Sequence, residues 1–206
     1  MNEPLPDSIV DVALDDSLPV EAIASIHADA SARPDLDAHL EAARNHLLLQ
    51  MLLIEVASSS ESADYDLIAR AYHFAQVAHD GQIRKSGEPF LRHSVEVARI
   101  LAQLRLDSTT VAAGLLHDVL EDTSVTLERI ATEFGPKIAG LVDGVTKIER
   151  FQFESREARQ AETYRKMLLS MVEDIRVILV KFADRLHNMR TLDALGPDQQ
   201  QRIAHE

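Results

Sequence analysis

The chain has 206 residues, 46% of them apolar and none of them cysteine. This supports one packed domain of ordinary size and excludes both a disulfide framework and a thiolate metal site. The net charge of −13 argues against non-specific nucleic-acid binding, which needs a basic face.

That charge is unevenly spread. Residues 1–60 hold eleven Asp and Glu against only Arg33 and Arg44, whereas the remainder holds 23 acids and 19 bases. We therefore read an acidic, partly helical N-terminal extension over 1–60 and a near-balanced domain over 61–206. The opening MNEPLPDSIVDVALDD places acids where a secretory signal needs a basic start. Pro4, Pro6, Pro19 and Pro34 punctuate the first 34 residues. A helix is expected from 35 to about 56. Its greasiest run, LLLQMLLIEVA at 47–57, is too short to span a bilayer. A soluble, cytoplasmic protein with no membrane partner is the expectation.

SSSESAD at 58–64 is read as a linker or cap. Beyond it, apolar residues recur three and four apart without strand alternation. Helices are expected near 64–80, 94–106, 109–121, 126–134, 136–146, 157–173 and 175–192, with Ser108 and Thr126 as N-caps. Gly140 and Gly144, about one turn apart, would allow close helix packing. The charged stretch FQFESREARQAE at 151–162 is expected to begin as a mobile loop. The fold class is all-α.

GLLHDVLEDT at 114–123 sets His117, Asp118, Glu121 and Asp122 into a greasy helical pattern. Buried acids and imidazoles are costly unless a partner or a metal compensates them. His117 and Asp118 are placed to offer a nitrogen and an oxygen to one ion, with Glu121 and Asp122 one turn on. His93 closes the turn-like RKSGEPFLRH. The late helix DIRVILVKFADRLHNMRTL carries Asp184, Asn188 and Thr191 at i, i+4 and i+7. His93, His117, Asp118 and Asp184 make a mixed nitrogen–oxygen set that suits Mn²⁺ or Fe²⁺, or Zn²⁺ by affinity. Such an ion lowers the pKa of a bound water and polarises a phosphoryl oxygen, and Glu121 and Asp122 would position or deprotonate that water. The bland alternative is a capping and salt-bridge network. His187 is expected to pack or hydrogen-bond rather than ligate, and His73 and His79 to be ordinary helix residues. Arg84 and Lys85 precede Ser86 and Gly87 in a short loop near His93 that is able to grip phosphate or stack on a base, although RKSG by itself reads as an ordinary surface loop.

The blocks AYHFAQVAHDGQIRKSGEPFLRHSVEVARIL, AAGLLHDVLEDTSVTLERIATEFG, LVDGVTKI and DIRVILVKFADRLHNMRTL resemble the N-terminal hydrolase domain of the long RelA/SpoT homologue (Rel) enzymes. The resemblance covers 64–206 in order. It implies an HD-superfamily helical bundle and a Mn²⁺-dependent pyrophosphohydrolase that acts on the alarmones pppGpp and ppGpp of the stringent response. Water would attack the 3′-diphosphate, releasing pyrophosphate and leaving GDP or GTP. By the same resemblance the metal ligands are His93, His117, Asp118 and Asp184, and the catalytic acids Glu121 and Asp122. Arg84, Lys85 and Ser86 would lie along the nucleotide, Asn188 and Thr191 near its ribose, and Leu195 against guanosine. A synthetase domain would accompany this one in cis if the chain is a fragment, as the motifs favour. The segment 151–162 would order on binding nucleotide or metal. Two other classes compete: an HD phosphohydrolase for another nucleotide, and a sensor that binds alarmone without turnover. The intact acid pair argues against the sensor.

Overall fold

The computed structural model describes residues 34–149 and 174–205. The chain divides into two compact units, Met1–Arg44 and Asn45–Glu206. Of the first, the described residues are the opening turns of α1 (Pro34–Ser59), which begins on a proline whose missing N–H costs a first turn nothing. The second unit takes up α1 at Asn45. There Leu52 and Val56 are buried and the Tyr72 hydroxyl donates to the Asn45 carbonyl at 2.6 Å. Residues 45–59 thus contribute to the folded core, inside the stretch read as extension.

The elements that follow are α2 (Tyr65–Ala78), α3 (Phe90–Gln103), α4 (Ser108–Leu116), α5 (Val119–Asp122), α6 (Leu127–Glu149), α7 (Arg176–Arg190), a 3₁₀ turn (Leu192–Ala194) and α8 (Pro197–His205). Among the described residues there is no strand, only an isolated antiparallel bridge between Ile83 and Pro89. The fold is all-α, as the periodicity predicts. The helix expected over 157–173 and the loop at 151–162 lie outside the described residues. Among those residues no helix is long and apolar enough to cross a membrane.

α4 is the axis of the bundle, packing against α2, α3, α6 and α7. Its sequence STTVAAGLL is apolar or small all round, and every residue from Thr110 to Leu116 is buried, as expected of a helix with neighbours on all sides. Burying side chains such as Leu115 and Leu116 is worth about 1.5–3 kcal/mol each. Glycine sets the spacing at two contacts. A Cβ on Gly114 would lie 2.4 Å from the Leu101 Cδ1 of α3, and one on Gly144 would lie 2.8 Å from the Val177 Cγ2 of α7. Gly140, expected to share that role, faces open space.

Several boundaries depart from the sequence reading for identifiable reasons. α3 starts at Phe90, not 94, because the loop turns at Gly87 (φ 83) and releases the chain into a helix straight after Pro89. His93 is therefore helical. Asp107, not Ser108, caps α4: its Oδ1 accepts from the Thr110 N–H at 2.8 Å. Ser108 is the first helical residue, and its Oγ accepts the Asp64 N–H at 2.9 Å. Thr126 does precede a helix and accepts the Arg129 N–H at 3.3 Å. The segments expected at 126–134 and 136–146 form one element, α6, kinked at Gly135 (φ 83, ψ 166), a backbone state open to glycine. The helix expected over 109–121 is broken at the His117–Asp118 pair. The helix expected to 192 stops at Arg190, and the 3₁₀ turn leads into α8.

Candidate metal centre and adjoining cleft

The break between α4 and α5 is what builds the site. In a straight helix adjacent side chains diverge by about 100°. Here Asp118 adopts φ −91, ψ −8, a value typical of turns. That turn brings His117 Nε2 within 3.1 Å of Asp118 Oδ1. α3 and α7 supply the remaining donors. His93 Nε2 lies 3.2 Å from Asp184 Oδ1 and 3.4 Å from Asp118 Oδ2, and His117 Nε2 lies 3.9 Å from Asp184 Oδ1. Of the four residues read from the sequence as one set, His93, His117 and Asp184 bring ligand atoms within 4.8 Å of one another, and Asp118 touches the two imidazoles with different oxygens.

The imidazoles are held with Nε2 facing inward. His117 is fully buried and its Nδ1 lies 2.8 Å from the Gly114 carbonyl. A carbonyl only accepts, so Nδ1 carries a proton, and Nε2 is left to bind either a second proton or a metal ion. Despite its nearness to Asp118, His117 Nε2 makes no hydrogen bond. A buried ring nitrogen that makes no hydrogen bond but faces two carboxylates fits a divalent cation. His93 Nδ1 meets His187 Nδ1 at 2.7 Å. His93 donates there if its Nε2 serves as a ligand, and such outer partners orient metal-binding histidines. His187 packs and hydrogen-bonds as its sequence position predicts.

Asp184 has its two oxygens assigned to different neighbours. Asn188 Nδ2 donates to Oδ1 at 2.7 Å, and Lys181 Nζ pairs with Oδ2 at 2.9 Å.

The electrostatics follow from this crowding. Burial alone would depress His117, but the charges of Asp118 and Asp184 outweigh it and lift its pKa to about 9. Burial opposes the ionised form of Asp118 too, yet the two imidazoles hold it well below its usual range. Asp184 is held low against its own burial by His93 and Lys181. Burial, with His93 and Arg84 nearby, pushes His187 down to about 4. The carboxylates that draw a proton to His117 would equally draw a divalent cation, and the two compete for the same lone pair.

Glu121 and Asp122 project from α5 at the rim, both exposed to solvent. Although Asp122 reaches water, partial desolvation and the charges of Asp118 and Glu121 push its pKa up to about 6. That range suits a general base.

Beside these donors is a cleft of about 310 Å³ lined by Ile83, Arg84, Lys85, Ser86, Phe90, Asn188, Thr191, Leu195 and Ile203. All six residues named from the sequence as nucleotide contacts face this one space. Arg84 Nη2 donates to Asn188 Oδ1 at 2.6 Å and its guanidinium lies 5.7 Å from the Phe90 ring centroid. The buried Ser86 Oγ has no partner. Thr191 caps α7, its Oγ1 bonded to the carbonyls of His187 and Asn188.

Sequence reasoning missed four residues here. Ile83, Phe90 and Ile203 line the cleft but carry no chemical signature. His79 is not an ordinary helix residue: it ends α2, is 3% exposed and stacks on Phe90 at 4.6 Å and 15°. Burial pushes its pKa below the ordinary histidine value. Its position one residue before DGQ, a helix stop, was the available signal.

Known proteins resemble this chain in sequence and in fold. The family model described as HD domain matches residues 71–206. The chain is 53% identical over 153 residues to a probable guanosine-3′,5′-bis(diphosphate) 3′-pyrophosphohydrolase of Synechocystis, covering 74% of this chain and 20% of that one. It is 55% identical over 141 residues to the guanosine-3′,5′-bis(diphosphate) 3′-pyrophosphohydrolase of Vibrio cholerae, covering 68% and 20%. A GTP pyrophosphokinase of Myxococcus xanthus is 53% identical over 146 residues, covering 69% and 19%. The chain thus spans about a fifth of the length of the curated relatives it matches. Among solved structures, one described as "A metazoan ortholog of SpoT hydrolyzes ppGpp and plays a role in starvation responses" superposes with a TM-score of 0.54 at 27% identity, covering 66% of this chain and 78% of that one.

Proposed function

The chain belongs to the HD domain family, and from that premise we propose that it hydrolyses the 3′-diphosphate of (p)ppGpp to GDP or GTP and pyrophosphate. The observation that carries the reading is the buried Nε2 of His117, without a hydrogen bond yet facing the carboxylates of Asp118 and Asp184, beside a cleft with cationic residues on its wall. Relatives named for this hydrolysis support it.

His93, His117, Asp118 and Asp184 would hold the ion, for which we propose Mn²⁺. When bound, such an ion supplies Lewis-acid stabilisation of charge on the phosphoryl group. The protein's own groups do the rest. Arg84 and Lys85 take the diphosphate charge and Ser86 Oγ donates to a phosphate oxygen. Asn188 and Thr191 meet the ribose, and Leu195 gives the guanine an apolar wall. Water attacks the phosphorus bonded to the 3′ oxygen and that P–O bond breaks. Asp122, assisted by Glu121, takes one proton from the attacking water and returns it to the departing 3′ oxygen, which leaves as a hydroxyl. Further parts of the same proposal are a cytoplasmic role in the stringent response and a synthetase domain in cis. The latter is supported by the relative named as a GTP pyrophosphokinase.

The test gives chelator-stripped protein ppGpp with and without Mn²⁺ and quantifies GDP and pyrophosphate. Metal-dependent release of both, lost in His117→Ala, is the expected result. Binding without turnover would make the chain a sensor. Turnover of other nucleotides but not ppGpp would leave the metal centre and remove the substrate assignment.

A further inference from the structure

α5 is a single turn of four residues, and the end of a helix leaves carbonyls to be satisfied from outside the helix. Thr123 ends it in extended geometry (φ −132, ψ 178), and its Oγ1 satisfies the Val119 carbonyl at 2.7 Å. The Asp122 carbonyl is satisfied from outside, by Gln82 Nε2 at 2.8 Å. Gln82 lies 40 residues away in sequence, at the start of the loop that carries Arg84, Lys85 and Ser86.

Gln82 is itself fixed on three sides. Its N–H donates to the His79 carbonyl at 3.0 Å and its carbonyl accepts from the Phe90 N–H at 3.0 Å. Its side-chain Oε1 lies 2.8 Å from His79 Nδ1. Since Nε2 must donate to a carbonyl, Oε1 must accept, and His79 Nδ1 carries the proton. A flipped amide would set oxygen against the Asp122 carbonyl and nitrogen against the N–H of His79. His79 in turn cannot swing away, because it is buried and stacked on Phe90, whose ring lines the cleft. A continuous chain of contacts therefore runs from the cleft wall through Phe90, His79 and Gln82 to the backbone of Asp122.

We infer that Gln82, oriented by His79, is a positioning residue that holds the Glu121–Asp122 turn in register with the nucleotide loop. The inference rests on the hydrolase reading for what the turn does, but not for the contact itself. Gln82 touches neither reacting atoms nor any metal donor; it acts through the Asp122 carbonyl. Displacing a proton-transfer group by about 1 Å lowers turnover by as much as about 10²-fold, whereas loss of one neutral, half-exposed hydrogen bond leaves the fold standing.

The experiment uses the full chain with Gln82→Ala and the near-isosteric Gln82→Glu, which keeps an acceptor for His79 but faces the Asp122 carbonyl with oxygen. The expected result is a kcat on ppGpp lowered by roughly 10- to 100-fold in both, KM within about twofold, and Mn²⁺ affinity and melting temperature near wild type. Amide hydrogen exchange over 117–123, without nucleotide, is expected to be faster in both variants. A KM rise with kcat intact would overturn the inference by making Gln82 a substrate-loop residue only. Unchanged exchange over 117–123 would overturn it outright. If wild type itself fails to turn over ppGpp, the hydrolase reading falls while the exchange comparison still decides whether Gln82 holds the turn.

Discussion

Asn188 donates a 2.7 Å hydrogen bond to Asp184 Oδ1, the same oxygen that faces His93 Nε2 at 3.2 Å. Its own amide oxygen accepts from Arg84 at 2.6 Å. One side chain therefore connects a candidate metal ligand to a cation of the cleft. Asn188→Ala is expected to weaken Mn²⁺ binding by about 10- to 100-fold, the range found when outer partners of metal ligands are removed. It is also expected to raise KM, because Arg84 loses its anchor. Competition titration against a fluorescent chelator reads the first effect without any turnover. Unchanged affinity would restrict Asn188 to nucleotide contact.

His187 plays the corresponding part for His93, across a 2.7 Å contact between their Nδ1 atoms. His187→Phe keeps the bulk and removes the acceptor, leaving the buried His93 N–H without a partner. The expected outcome is again a loss of about 10- to 100-fold in metal affinity, with the helical circular dichroism unchanged. His187→Gln, which restores an acceptor, should recover part of the loss. Equal affinity in all three proteins would mean that packing alone orients His93.

The helical class and the gathering of His93, His117 and Asp184 were legible in the sequence for different reasons. Helices follow from apolar spacing, which 3.6-residue periodicity makes readable one residue at a time. The donors were legible because histidines and carboxylates are conspicuous inside greasy helices. The break at His117–Asp118 was not legible, since GLLHDVLED is an uninterrupted helical pattern and the turn lies where these two residues meet side chains of α3 and α7. The roles of His79 and Gln82 were hidden likewise. An amide that caps a turn 40 residues away has no local signature. Phe90 and Ile203 line the cleft through packing, which a pattern of types cannot supply.

Helix contacts give a paired prediction of opposite sign. Gly144→Ala places a methyl carbon 2.8 Å from Val177 Cγ2, while Gly140→Ala meets nothing within 4 Å. The first crowds α6 against α7 and should destabilise by about 1–3 kcal/mol, the usual cost of overpacking. The second replaces an exposed helical glycine and should stabilise by up to about 1 kcal/mol. Urea denaturation of both variants checks the pair. Stabilisation by Gly144→Ala would mean that α6 and α7 can separate without loss.

The last prediction concerns the start of α4. Asp107 Oδ1 accepts the Thr110 N–H, and its Oδ2 pairs with Arg176 at 3.0 Å across to α7. Asp107→Ala removes an N-cap and should cost about 1 kcal/mol at neutral pH; the exposed ion pair adds little to that. The pH dependence has a definite sign. Desolvation favours the protonated acid, but the bonds from Thr110 and the charge of Arg176 prevail and lower the folded-state pKa below 3.8. The unfolded chain therefore takes up the proton first as pH falls. The charge-dependent contribution is fully present above about pH 3.8 and disappears as pH drops through the folded value. Wild type and Asp107→Ala should accordingly differ most in urea midpoint at neutral pH and converge as the pH falls below 3.8. A gap that widened on acidification would place the stabilising interaction on the protonated acid and reverse the assignment.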